Sequence, residues 1–216
     1  MILVGIRSPI VVEYEETLRR LGRPLTSAIS VNGTPRLLDT SKIISLDDFE
    51  RNSTLSSFLS CAFTPSRRKQ LVEIGRSLGL LLAPALIDPT AIVARSVRID
   101  NGTFVNAGAV IGAASVIGEG VLINRAVSLG HHTVLGDFTS IGPGATLAGN
   151  IHVGDGAMIG VGSTILPDIR IGAGAIVAAG SLVRKHVPDG VFVAGNPAKE
   201  REFNPSNSSL HVDDGE

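Results

Sequence analysis

The sequence predicts a small α/β unit at its N-terminus, followed by a parallel β-helix built from hexapeptide repeats. The first observation is the composition: 44% of the 216 residues are hydrophobic and 25 are glycine, yet only 4% are aromatic. The second is an unbroken period of six in the aliphatic residues. The third is the order of apolar segments before that repeat begins.

Aliphatic residues recur at every sixth position from Ile87 to Val183, a period typical of a β-helix with hexapeptide repeats. Three hexapeptides make one triangular coil, so residues 18 apart stack at the strand spacing of about 4.8 Å. Such a narrow interior leaves no room for large aromatic rings. Every member of the series is Ile, Val or Leu: Ile87, Val93, Ile99, Val105, Ile111, Ile117, Ile123, Leu129, Leu135, Ile141, Leu147, Val153, Ile159, Ile165, Ile171, Val177 and Val183.

The segment before the repeat predicts alternating strands and helices. Residues 1–5 predict a short buried strand, and apolar residues at helical spacing after Ser8 predict a helix that ends at Gly22. Two further strands are predicted at 26–31 and 58–63. This order is that of a small Rossmann-like parallel unit.

Ser66 is expected to cap a second helix that runs to about Leu78. Its first turn carries the basic residues 67–69, which are either solvated or close to a bound anion. We expect the α/β substrate-binding domain at 1–84, the β-helix domain at 85–202 and a disordered tail at 203–216.

The charge, cysteine content and hydropathy exclude several functions. Nineteen Lys and Arg against 20 Asp and Glu leave a net charge of −1, so no nucleic-acid partner is expected. The lone Cys61 excludes an intrachain disulfide framework and a cysteine zinc cluster. The apolar stretch 78–87 is far shorter than the roughly 20 residues that cross a bilayer. No signal-peptide pattern is found, so no membrane partner is expected and a cytoplasmic location fits best.

Three segments of the repeat region and its end carry a family resemblance. They are Ala-Leu-Ile-Asp-Pro-Thr-Ala at 85–91, Ile-Asn-Arg-Ala-Val-Ser-Leu-Gly-His-His-Thr-Val-Leu-Gly-Asp at 123–137, and Val-Ala-Gly-Asn-Pro-Ala-Lys at 193–199. Together they resemble the sialic acid and bacillosamine acetyltransferase branch of the left-handed β-helix acyltransferases. The resemblance is strong over about residues 85–201 and weak before them.

That resemblance implies a homotrimer with acetyl-CoA in the groove between neighbouring prisms, and His131 as the general base. An imidazole suits this role because its ordinary pKa lies near neutrality. The spacing of 18 places Gly149 one coil above His131, where its backbone N–H could donate to the oxyanion. Asn124 aligns with an active-site asparagine of the family.

The resemblance also implies main-chain contacts between late coils and the pantetheine arm of acetyl-CoA. Basic side chains near the end of the repeat could hold the nucleotide phosphates, although a solvated surface is equally compatible. The expected cofactor-binding residues are Val161, Ala179, Gly180, Arg184, Lys185 and Lys199.

The turn after the first strand is the candidate acceptor site. Gly5, Arg7 and Ser8 could grip an anion, while the alternative is a helix cap with an exposed arginine. His132 is counted among the substrate-binding residues. It stands where close relatives usually have Asp or Glu and is not expected to orient His131 as a carboxylate does. Asn124 or a carboxylate from the adjacent subunit could take that part.

The predicted function is acetyl-CoA-dependent N-acetylation of a nucleotide-linked amino sugar in bacterial surface glycan synthesis. O-acetylation of a free or glycan sugar is the nearest alternative, and a non-catalytic scaffold or a metal-dependent anhydrase is the alternative from another class. No metal is expected, because adjacent residues such as His131 and His132 should point to opposite sides of a strand. His152 and the acidic series Glu119, Asp137 and Asp155 are predicted to be solvated surface.

Overall fold

The computed structural model describes residues 1–49 and 56–203. Its N-terminal unit alternates strands and helices, with one 3-10 turn at Thr40–Lys42. The elements in chain order are Ile2–Val4 (β1), Val11–Arg20 (α1), Ser27–Ser30 (β2), Ile43–Ser45 (β3), Ser57–Ser60 (β4), Pro65–Ser77 (α2) and Leu81–Leu82 (β5). The strands form one parallel sheet in the order β3-β2-β1-β4-β5.

The prediction for this unit is confirmed for β1, β2, β4 and both helices. Two elements were not predicted: β3, which is only half-buried, and β5, which is two residues long. The predicted cap at Ser66 is wrong, because the helix begins one residue earlier at Pro65, after the extended residue Thr64. Proline favours the first turn of a helix, where its missing N–H costs nothing.

The repeat forms a triangular prism with three parallel sheets, which we call the first, second and third faces. The first face contains Leu86–Ile87, Phe104–Val105, Leu122–Ile123, Ser140–Ile141, Met158–Ile159, Ile176–Val177, Phe192–Gly195 and the antiparallel strand Ala198–Glu200. The second face contains Ile92–Val93, Val110–Ile111, Ser128–Leu129, Thr146–Leu147, Thr164–Ile165 and Leu182–Val183. The third face contains Arg98–Ile99, Val116–Ile117, Val134–Leu135, His152–Val153 and Arg170–Ile171.

The predicted period of 18 residues is confirmed by the strand register. Ile123, for example, pairs with Val105 below it and with Ile141 above it. The aliphatic series fills the interior in one core cluster. The strands are joined at the corners by tight turns, and six of these turns each contain a non-glycine residue with positive φ. These residues are Ala114, Ala126, His132, Phe138, Asn150 and Asp168.

The N-terminal unit packs on the first face through a buried arginine in α2. Arg68 is fully buried and donates to the backbone carbonyls of Gly120, Phe138 and Thr139 on the prism. It also donates to carbonyls of Ala62 and Phe63, which lie just before α2. Burial lowers the pKa of Arg68 to about 10, and the carbonyl oxygens compensate the lost hydration. The expectation that this basic turn is solvated or binds an anion is therefore wrong for Arg68.

A second link joins α1 to the first coil. The buried carboxylate of Asp88 accepts hydrogen bonds from Thr17 at 2.8 Å and from Arg20 at 2.7 Å. Thr90 donates to it through its hydroxyl and its backbone N–H. Burial alone would raise the pKa of Asp88, but these donors outweigh it and the pKa is lowered. Within the described residues, no helix is both long and apolar enough to cross a membrane.

Candidate active site

His131 lies in the turn between the second and third faces. The neighbouring His132 has a φ of 55°, and its backbone N–H donates to the carbonyl of Ala113 one coil below at 2.9 Å. Both imidazoles are exposed in the single chain. Their Nδ1 atoms are 3.0 Å apart, so the position of the proton on the His131 ring depends on that of His132.

The corner turns of consecutive coils bring Gly149 against the His131 ring. The Asn150 N–H donates to the His131 carbonyl at 2.8 Å and fixes the two coils in register. A Cβ atom on Gly149 would lie 2.7 Å from both Cε1 and Nε2 of His131. Only glycine therefore lets this edge of the ring rest on the next coil. The Nε2 atom, which is the nitrogen not engaged with His132, lies beside Gly149.

The Gly149 N–H donates to no acceptor among the described residues. At the corner between the third and first faces, the equivalent amides are capped from the coil above: Glu119 N–H donates to Asp137 Oδ1, and Asp137 N–H donates to Asp155 Oδ1. Above Gly149 stands Pro167, which has no side-chain acceptor. Asp137 and Asp155 are thus exposed, as predicted, and also cap turns, whereas the Glu119 carboxylate accepts from Arg76. The corner at Gly149 retains a donor.

The expectation that His131 and His132 point to opposite sides is wrong. The two residues occupy a turn rather than a strand, so strand alternation does not apply and the side chains meet. Their rings are nearly perpendicular, at 87°. No group of three or more potential metal ligands is found in the described part of the chain. His152 lies outward on the third face and is exposed, as predicted.

Asn124 lies on a different corner from His131, between the first and second faces. Its side chain is buried, and its Oδ1 accepts hydrogen bonds from the Arg125 N–H at 2.8 Å and from Asn106 Nδ2 at 3.2 Å. The strand Ser128–Leu129 separates it from His131 in the same chain. Within one protomer, Asn124 therefore cannot orient the His131 ring.

Three of the predicted cofactor residues, Val161, Ala179 and Gly180, lie on the corner that carries Asn124, whereas Arg184 and Lys185 follow the last strand of the second face and lie on the corner that carries His131. The backbone N–H groups of Val161 and Ala179 donate to no acceptor in the described segments, whereas the Gly180 N–H donates to the Val161 carbonyl at 2.8 Å. Val161 is 52% exposed. The basic residues of this set are exposed near the end of the prism and form no salt bridge with any described residue: Arg184, Lys185 and Lys199.

His131 thus stands at one edge of the second face, and the backbone donors of Val161 and Ala179 stand at the other. Within one chain, the structure does not bring His131 and Val161 together. The first two strands of the second face, below the level of His131, expose large apolar side chains, with Ile92 67% exposed and Val110 40% exposed. Exposed apolar surface on an otherwise regular sheet is typical of a face that is covered by another protein surface.

The first turn of the N-terminal unit forms a narrow cavity of about 10 Å³ at the carboxyl ends of β1, β2 and β4. Gly5, Arg7 and Ser8, the predicted acceptor-site residues, line it. Ser8 is buried, and its Oγ has no hydrogen-bond partner among the described residues. Ligands of open α/β sheets commonly bind at this edge, where strand order reverses.

Two further residues of this cavity were missed by sequence reasoning. Arg67 and Asn32 line it, and Arg67 Nη2 donates to Asn32 Oδ1 at 2.7 Å. The sequence shows Arg67 only as one of three consecutive basic residues in a helical turn. In the structure these residues have different environments, since Arg68 enters the interior and Lys69 is exposed. The remaining polar lining residue, Cys61, keeps its proton because burial raises its pKa.

Comparisons with known proteins agree with this geometry. Residues 150–185 match the family described as bacterial transferase hexapeptide (six repeats). A variant of perosamine N-acetyltransferase from Caulobacter crescentus, in complex with CoA and GDP-perosamine, is 30% identical. The match covers 94% of this chain and 96% of that one, with a TM-score of 0.86.

Two other solved structures are similar over nearly their whole length. The acetyltransferase domain of PglB from Neisseria gonorrhoeae, in complex with acetyl coenzyme A, is 30% identical with a TM-score of 0.81, covering 93% of this chain and 98% of that one. WeeI from Acinetobacter baumannii is 27% identical with a TM-score of 0.84, covering 93% and 99%. A search of curated protein sequences gives no match.

Proposed function

The chain belongs to the hexapeptide-repeat sugar N-acetyltransferases of the left-handed β-helix class, and we propose that it transfers an acetyl group from acetyl-CoA to the amino group of a nucleotide-linked amino sugar. The observation that carries this proposal is the pairing of a base with a free donor: the Nε2 edge of His131 rests on Gly149, whose N–H has no acceptor among the described residues. The C. crescentus relative is a complex with both CoA and a GDP-linked amino sugar. We propose the cytoplasm as the location, since acetyl-CoA is produced there.

In the proposed mechanism, His131 Nε2 accepts the proton that the sugar amine loses as its nitrogen attacks the thioester carbonyl carbon. The Gly149 N–H donates to the carbonyl oxygen as it becomes an oxyanion. When the carbon–sulfur bond breaks, His131 returns the proton to the leaving thiolate. The products are the N-acetylated sugar and CoA, and the imidazole is regenerated.

The acetyl-CoA donor is proposed to bind the neighbouring chain's corner between the first and second faces. Free backbone donors at Val161 and Ala179 suit the amide carbonyls of a pantetheine arm. The exposed Lys199, on the last strand of the first face, and the exposed Arg184 and Lys185, at the His131 edge of the second face, suit phosphates. In this scheme, Asn124 lines the part of the site that faces the partner's His131. Because His131 and the backbone donors of Val161 and Ala179 stand at opposite edges of the second face, one complete site needs two chains, and a closed homotrimer supplies three.

The nucleotide is proposed to place its diphosphate across the opening of the cavity at β1, which is itself too narrow to enclose a nucleotide. Gly5 turns there with a φ of 82°, and Arg7 and Arg67 offer two guanidinium groups to a diphosphate. The buried Ser8 hydroxyl offers a further donor. The exposed arginine cap, which the sequence left open as an alternative, does not explain a cavity with an unpartnered buried hydroxyl.

The acceptor is tested by incubating the protein with acetyl-CoA and GDP-, UDP- or dTDP-linked amino sugars, with free amino sugars and hydroxyl sugars beside them. Thiol release gives the rate, and product mass with amine-specific labelling identifies the acetylated atom. We expect thiol release only with a nucleotide-linked amino sugar and loss of its free amine. Transfer to a hydroxyl group would establish the O-acetyltransferase instead, and no transfer to any acceptor would overturn the proposal.

The shared site is tested by refolding His131→Ala chains together with Ala179→Asp chains. Each variant alone is expected to be inactive, because each lacks one of the two corners. The mixture should regain activity, since some interfaces then unite two intact corners. Absence of recovery in mixed oligomers would contradict a site shared between chains.

A further inference from the structure

The contact between the two histidines defines where the protons of both rings must lie. The Nδ1 atoms are 3.0 Å apart, and a hydrogen bond at this distance needs one donor and one acceptor. In two neutral imidazoles, each ring has one protonated and one unprotonated nitrogen. One ring of the pair therefore carries its proton on Nδ1, and the other ring carries its proton on Nε2.

The general base needs an unprotonated Nε2, because Nε2 is the atom of His131 that lies beside Gly149. His131 must then carry its proton on Nδ1 and donate it to His132. This leaves His132 as the acceptor, with its own proton on Nε2. We propose that His132 is a positioning residue: its neutral Nδ1 accepts the Nδ1–H of His131 and keeps Nε2 of that ring free for the sugar amine. This inference rests on the proposed function.

The assignment differs in one respect from an orienting carboxylate. A carboxylate at neutral pH only accepts, whereas a protonated His132 has a hydrogen on both nitrogens and can only donate. It would then donate to His131 Nδ1 and move the proton of that ring to Nε2, where no base remains. His131 therefore acts as a base only while His132 is neutral.

Few other titratable groups lie close enough to hydrogen-bond with His131 or His132 in the same chain. The positions next to it on the adjacent coils are Ala113 and Ala114 below and Gly149 and Asn150 above, and none of them titrates. The next charged side chains along the corner are each two coils away: Arg95 below, and Asp168 above, whose Oδ1 already accepts from Asn150 Nδ2 at 2.7 Å. Within one protomer, His132 is the group placed to orient the base.

Side-chain ¹⁵N NMR of histidine-labelled protein tests the proton positions without any substrate. At a pH where both rings are neutral, we expect His131 in the Nδ1–H form and His132 in the Nε2–H form, with assignments from single His→Gln variants. Free imidazole side chains favour Nε2–H, so the result for His131 is distinctive. Finding Nε2–H on His131 would overturn the inference, even if acetyl transfer is observed. Finding Nδ1–H on His131 supports it even if the acceptor proposal fails.

Kinetics provide the second readout, with His132→Ala and His132→Asn as a matched pair. Asparagine Oδ1 occupies the position of His Nδ1, accepts a hydrogen bond and tolerates the positive φ of this residue. We expect kcat to fall about 10²-fold in His132→Ala, to recover to within a few-fold of wild type in His132→Asn, and KM to change little in either. Equal activity of the alanine variant and wild type would contradict a positioning role.

Discussion

Replacing Gly149 with alanine adds one methyl group at the face of the His131 ring. The new Cβ would lie 2.7 Å from Cε1 and Nε2 and 3.3 Å from Cδ2. Carbon atoms pack at about 3.5–4.0 Å, so the ring must withdraw by about 1 Å. A displacement of that size costs about 10²-fold in rate. We therefore expect kcat of Gly149→Ala to fall about 10²-fold, measured as thiol release from acetyl-CoA.

The fold should survive this change, because Gly149 does not have a positive φ and the ring that must move is exposed. Gly174→Ala is the matched control: its φ is 63° and its Cβ would meet nothing within 4 Å. The control should lose about 1 kcal/mol of stability to the left-handed backbone and keep its activity. A Gly149→Ala variant with wild-type kcat and unchanged Tm would refute the placement of the base over Gly149.

Three further predictions concern the N-terminal unit and its contacts with the prism. Arg68→Ala should lower the free energy of unfolding by about 3–5 kcal/mol, because several buried carbonyls lose a charged donor. The control Lys69→Ala should stay within about 0.5 kcal/mol of wild type in chemical denaturation. Equal free energies of unfolding for the two variants would contradict the buried link. Asp88 has a lowered pKa in the fold, so its contribution is present above its unfolded value of about 3.9 and is lost as pH falls through the folded value. Asp88→Asn should therefore be less stable than wild type at pH 7 by about 1–3 kcal/mol and lose less on acidification below pH ~4, as thermal melts against pH would show; parallel curves would refute this. Arg7→Ala should raise KM for the nucleotide sugar at least about 10-fold with little change in kcat, since a charged hydrogen bond is worth about 1.5–3 kcal/mol; initial rates test this against Arg23→Ala, and an unchanged KM would place the nucleotide elsewhere.

The prism could be predicted from sequence because its structural repeat corresponds to a fixed spacing of residues along the chain. An aliphatic residue at every sixth position determines coil, register and interior at once, so the stacking of Gly149 on His131 followed from counting. The N-terminal helices were predictable from apolar spacing. The strand β3 was not, because its residues are only half-buried and carry no clear alternation.

The details of the site depend on where side chains turn, and sequence spacing does not specify this. Strand alternation would separate His131 from His132, but the turn and the positive φ of His132 bring the rings together. The sequence likewise does not predict that three consecutive basic residues differ in burial. Successive residues of a helix point in different directions, so Arg67, Arg68 and Lys69 have different surroundings. The spacing of the aliphatic residues does not predict which backbone N–H groups at the corners have an acceptor. That the Gly149 N–H has none among the described residues is seen only in the hydrogen bonds of the structure.

The most direct test of the central claim is turnover of His131→Ala with acetyl-CoA and the accepted nucleotide-linked amino sugar. General-base catalysis contributes about 10²–10⁴-fold, so kcat should fall by that factor. Binding of CoA, measured by calorimetry, should be unchanged because the proposed main-chain contacts at Val161 and Ala179 lie on the other corner and His131 is not among the proposed CoA contacts. Wild-type turnover by His131→Ala would contradict the account.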